Sequence, residues 1–114
     1  MNIDVARHNS VVILKPRGRM ITEERVRSFK KAINREISES DPPKLIIDFS
    51  EVGMMASIGL GAIMEAGMAI KKKRGRIAVI HLSSPVNSLL VMSQLISQFE
   101  HFKNEHEAVV ALSS

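Results

Sequence analysis

Lys44-Leu45-Ile46-Ile47-Asp48-Phe49-Ser50-Glu51-Val52-Gly53-Met54-Met55-Ala56-Ser57-Ile58-Gly59-Leu60-Gly61 carries more structural information than any other part of the chain. It opens with a short continuous apolar run that a charge closes, the pattern of a strand covered on both faces. A polar, glycine-containing loop follows, and from about Ile58 the spacing becomes helical, with Leu60, Ile63, Met64, Gly67 and Ile70 on one side. A buried strand feeding a helix is the building unit of a parallel sheet.

On the N-terminal side, Val11-Val12-Ile13-Leu14 is a β-branched run closed by Lys15-Pro16-Arg17-Gly18, and Ile3, Val5 and a turn at His8-Asn9-Ser10 predict a first strand hairpinned to it. Val26, Phe29, Ile33 and Ile37 then form one helical stripe. Thr22 can cap that helix, with Glu23 and Glu24 in the favourable first turn, and Asp41-Pro42-Pro43 closes the segment beyond it. On the C-terminal side, Arg76-Ile77-Ala78-Val79-Ile80-His81 is another buried strand, and Ser84-Pro85 predicts a helix start with the hydroxyl capping and proline at the first helical position. Val86, Leu89, Leu90, Ser93 and Ile96 give that helix its stripe, Phe99 to Phe102 a last edge strand, and Ala108, Val109, Ala111 and Leu112 a closing helix. The predicted fold is a single α/β domain over residues 1–114, order ββαβαβαβα, with about four helices and a mixed, mostly parallel sheet opened by the hairpin.

The composition narrows the function. The 114 residues carry 16 Lys+Arg against 12 Asp+Glu, a formal net charge of +4, and contain no Cys, Trp or Tyr. Lacking cysteine, the chain has neither disulfides nor sulfur-ligated metals, which fits a reducing compartment. The first residues lack the apolar core of a signal peptide and no stretch reaches the ~20 apolar residues of a membrane span, so a cytoplasmic protein without membrane insertion is expected. Positive charge without aromatic platforms argues against direct nucleic-acid binding. The densest basic run, Lys71-Lys72-Lys73-Arg74-Gly75-Arg76, lies at a predicted helix C-terminus, where cations complement the dipole.

An enzyme reading finds little support. His101 and His106 are five apart rather than four, so no metal site is expected, and Gly59-Leu60-Gly61 continues to Met64 where a dinucleotide fingerprint needs a third glycine. No catalytic residue and no cofactor are assigned. Asp48 and Glu51 are candidate paired carboxylates, but with no nucleophile or metal set beside them a strand-end and loop role is expected, and a small enzyme using Asp48 or His81 is the remote alternative. Ser57, between the strand and the helix, allows two compatible roles. It can be the N-cap of the helix, worth about 1 kcal/mol. It can also carry a phosphate, which open amides at a helix N-terminus would welcome.

The same stretch resembles the signature of STAS domains, the anti-sigma-factor antagonist family, in which a strand ends in a polar residue and a loop leads to D-S-S-G-L-G at a helix start. The likeness extends to Gly75-Arg76-Ile77-Ala78-Val79-Ile80 and Ser84-Pro85-Val86, and so over nearly the whole chain. It implies that Ser57 is the phosphorylation site and that the protein works in a partner switch. In such a switch, the unphosphorylated antagonist binds a serine-kinase anti-sigma factor and frees a sigma factor, and a metal-dependent serine phosphatase restores the phosphorylated form to binding. Because loops at one sheet end converge in α/β folds, the expected docking surface combines Gly18, Met20, Ile21 and Thr22 with Met55, Ala56, Ser57, Ile58, Gly59 and Leu60. Met54 falls near the same sheet end. Ala56-Ser57-Ile58-Gly59 stands where the archetype has Asp-Ser-Ser-Gly, and Gly18-Arg19-Met20-Ile21 departs from the family's G-x-x-D. These departures favour an alternative, a non-phosphorylated STAS scaffold or subunit of a cytosolic stress-sensing or lipid-transport complex.

Overall fold

The computed structural model describes residues 1–113, so Ser114 of the expected 1–114 domain lies outside the described residues. Strands β1 (Asn2–His8), β2 (Val11–Arg17), β3 (Lys44–Asp48), β4 (Arg76–Ile80) and β5 (Glu100–His101) lie in spatial order β1-β2-β3-β4-β5. The β1–β2 hairpin is antiparallel and every later pair is parallel. Helices α1 (Glu23–Glu39), α2 (Ser57–Lys72), α3 (Ser84–Met92) and α4 (Glu105–Ser113) complete the predicted order.

The continuous apolar strands are buried because helices cover both faces of the sheet. On one face, Phe29 and Ile33 of α1, Ile63 and Ile70 of α2 and Val86 and Leu90 of α3 share a core with Leu14, Leu45, Ile47 and Val79. On the other, Ala108 and Leu112 of α4 seal Val11, Ile13, Ile46, Ala78 and Ile80. Alternation along each strand directs its side chains to the two cores in turn. The predicted α1 stripe is wholly buried.

Several boundaries differ from the sequence reading. Strand β2 runs on through Lys15 and Pro16 to Arg17, since the parallel ladder with β3 stops at Leu14 and Pro16 has only β1 beside it. A proline is tolerated where its missing N–H faces no ladder. His8 belongs to β1, so the turn is Asn9-Ser10 alone, with Asn9 left-handed at φ 60. In α2 the buried face is Gly59, Ala62, Ile63, Ala66, Gly67 and Ile70, while Met64 points outward. Small residues bring this helix close to the sheet, and the apolarity of Met64 masked that offset. Ser83, not Ser84, precedes α3, and its hydroxyl donates to the Val52 carbonyl instead of capping. Thr22 caps α1 as predicted, its Oγ1 accepting from the Arg25 N–H.

Candidate functional site

Ser57 is exposed, at the first position of α2. It is not the N-cap: Ala56 is, and it offers no side-chain acceptor. No acid stands in the first turn either, so the helix's own first turn does not compensate the positive end of its dipole. The amides of Gly59 and Leu60 both reach the Ala56 carbonyl, at 2.9 and 3.3 Å.

The loop after β2 meets this helix start through main-chain bonds. The Met20 N–H donates to the Met54 carbonyl at 2.9 Å, the Ala56 N–H donates to the Met20 carbonyl at 3.0 Å, and Met20 and Met55 form a parallel bridge. Gly18, left-handed at φ +106, turns the chain out of β2 and donates its N–H to the Glu51 carbonyl at 3.0 Å. The two segments singled out in the sequence are thus neighbours, although Met20 and Met55 are 35 positions apart in the chain.

Their residues divide into a surface and its support. Gly18, Thr22 and Ser57 are exposed, with Ile21 at 39%, Ile58 at 42% and Met54 at 48% relative exposure, and Ala56 and Leu60 are half-buried. Met20, Met55 and Gly59, expected with that surface, are buried beneath it. The two methionines fill the space beneath the helix start, where a Cβ on Gly59 would stand 2.8 Å from the Met55 Cγ and 3.2 Å from the Met20 Cγ. Met54 alternates with Met55 and so faces outward, a distinction that composition cannot make.

Asp48 and Glu51 are not a carboxylate pair. Asp48 is buried at the end of β3 and accepts from the Ser50 N–H at 2.9 Å, with His81 Nδ1 at 3.1 Å, while Glu51 lies 3.8 Å from Arg17. Burial alone would raise the Asp48 pKa, but the hydrogen bonds from Ser50 and His81 outweigh it and hold the carboxyl below its ordinary value. The pair joins the loops that follow β3 and β4, and the Phe49 N–H to Ile80 carbonyl bond at 3.1 Å reinforces the junction. Among the described residues, no group of three or more His, Asp or Glu side chains could hold a metal ion, and no helix is long and apolar enough to cross a membrane.

The family profile for the STAS domain matches residues 2–108. The chain belongs to the STAS family. An anti-sigma F factor antagonist from Paenibacillus polymyxa is 30% identical over 115 residues, covering 98% of this chain and 95% of the relative. Two solved structures share the fold of this STAS domain at low identity. An anti-sigma factor antagonist from Mycobacterium paratuberculosis superposes with a TM-score of 0.86 at 20% identity, over 99% of this chain and 94% of the other. The Bacillus cell fate determinant SpoIIAA in its phosphorylated form gives 0.75 at 17% identity, over 96% and 98%.

Proposed function

We propose that this STAS domain is an anti-sigma-factor antagonist that docks a serine-kinase anti-sigma factor on the surface formed by Gly18, Ile21, Thr22, Met54, Ala56, Ser57, Ile58 and Leu60. Phosphorylation of Ser57 by that kinase breaks the complex, and a metal-dependent serine phosphatase resets it. The exposure of Ser57 carries the reading: a transferase can reach it, and exposed apolar Ile21, Met54 and Ile58 on the same two segments offer surface that a partner would bury. The 30% identical relative is an anti-sigma F factor antagonist, and a protein of this fold occurs in phosphorylated form.

A phosphate adds about −1.5 to −2 charges at neutral pH. At the first position of α2 that charge faces the positive helix end, so it leaves the helix intact. Its effect falls on the complex, where a doubly charged group must be desolvated against a partner built for a neutral hydroxyl. The switch therefore acts by interfacial electrostatics rather than by unfolding.

Calorimetric titration of wild type and Ser57→Glu against the kinase-type anti-sigma factor tests this. The variant should bind at least about tenfold more weakly with an unchanged melting temperature. Equal affinities would remove the phosphoswitch. Intact-mass measurement after incubation with kinase and ATP separates it from the constitutive scaffold reading: one added phosphate on wild type and none on Ser57→Ala is expected, and an unmodified wild type would favour the scaffold. Residues 56 and 58 are the specific features behind that second reading, because Ala56 cannot orient the neighbouring hydroxyl as an acid would.

A further inference from the structure

Strand β1 is seven residues long, lies at the edge of the sheet and, among the described residues, pairs only with β2. Every second residue of such a strand turns its N–H and C=O away from its neighbour, and an uncovered edge is a template for another strand. Beside this edge a groove of about 270 Å³ runs between β1 and α1, with Ile3, Val5 and Ala32 as its apolar part and Lys31 and Arg35 as its charged part. Ile3 and Ala32 pack at the margin of the main core, so Val5, two residues after Ile3 on the same face, opens into the groove, 49% exposed.

Lys31 and Arg35 are four apart on one helix face, a spacing at which like charges repel, and neither side chain makes a hydrogen bond or ion pair among the described residues. Arg7, further along β1, differs: Glu36 and Glu39 neutralise it. We infer that the β1 edge and the Lys31/Arg35 groove together form a second docking site, which takes an extended, carboxylate-bearing segment of another protein as an added strand. Main-chain bonding to the open edge supplies the geometry, and acidic side chains on one face of the added strand meet the two cations. A second copy of this chain is the competing occupant, and sedimentation separates the two. The inference stands independently of the role of Ser57.

The probe is a fluorescein-labelled nine-residue peptide alternating glutamate and valine, read by anisotropy against the full chain, with an alternating lysine and valine peptide as control. The acidic peptide should bind and the basic one should not. Lys31→Glu combined with Arg35→Glu should weaken binding about tenfold or more at an unchanged melting temperature. N-methylation of one set of alternate peptide residues should abolish binding and of the other set should spare it, because only alternate N–H groups face the edge. Absence of binding by the acidic peptide, or binding indifferent to methylation in both registers, overturns the proposal. So does concentration-dependent dimerisation in sedimentation that Val5→Lys abolishes, which would assign the edge to a second copy.

Discussion

Gly59 and Gly61 are two residues apart in one helix, yet an alanine at each should have opposite effects. Glycine inside a helix costs about 1 kcal/mol relative to alanine. At Gly61 a Cβ would have nothing within 4 Å, so Gly61→Ala should recover that amount, a rise of about 4 °C in melting temperature for a domain of this size. At Gly59 the same backbone gain is opposed by the Met55 Cγ at 2.8 Å and by the Met20 Cγ and Sδ at 3.2 Å. Those methionines cannot withdraw freely, because they are buried and the main-chain bonds between Met20 and both Met54 and Ala56 fix their segments. Overpacking of this kind costs about 1–3 kcal/mol, which leaves Gly59→Ala destabilised by about 1 kcal/mol net. Thermal and urea unfolding of the two variants should therefore differ by about 2 kcal/mol. Equal shifts would refute the packing account of the helix start. Gly61 also lies one turn from Ser57, on the same face. A methyl group there should weaken anti-sigma-factor binding while stabilising the free protein, and a variant gaining on both measures would place that face outside the docking surface.

Asp48→Asn should cost about 1–2 kcal/mol near neutral pH by removing a charged acceptor from Ser50 and His81. Because folding lowers the Asp48 pKa, its stabilisation is complete above the ordinary aspartate range and is lost as pH falls through the folded value. Urea midpoints of wild type and variant should therefore converge in acid, and a gap that persists there would contradict the assigned carboxylate. Leu112→Ala should cost about 2–4 kcal/mol, since Leu112 is fully buried in the smaller core beneath α4, and chemical denaturation would show a loss well under 1 kcal/mol if α4 were only loosely attached.

The element order, the mixed sheet and the α1 stripe were legible in the sequence because each rests on local periodicity. Val26, Phe29, Ile33 and Ile37 repeat with the helix, and Leu45-Ile46-Ile47 needs both faces covered wherever it lies. Ser57 was legible as a candidate at the helix start too, through the motif around it, but that it is the first helical residue and not the cap was not. Whether a serine or the preceding residue is the cap depends on one residue's backbone angles, and Ala56 has the extended conformation of a cap without any side chain to serve as one.

What the sequence by itself determined was the alternation of strands and helices, since hydrophobic period is set by the geometry of each element. Only the tertiary structure decided which methionines fill and which face outward, that Asp48 pairs with His81 rather than Glu51, and which main-chain bonds hold the Gly18–Thr22 loop to the start of α2. It also set Lys31 and Arg35, without a partner among the described residues, beside an edge strand. Such outcomes depend on contacts between residues far apart in the chain, and pairwise distance across a folded sheet leaves no periodic trace along it.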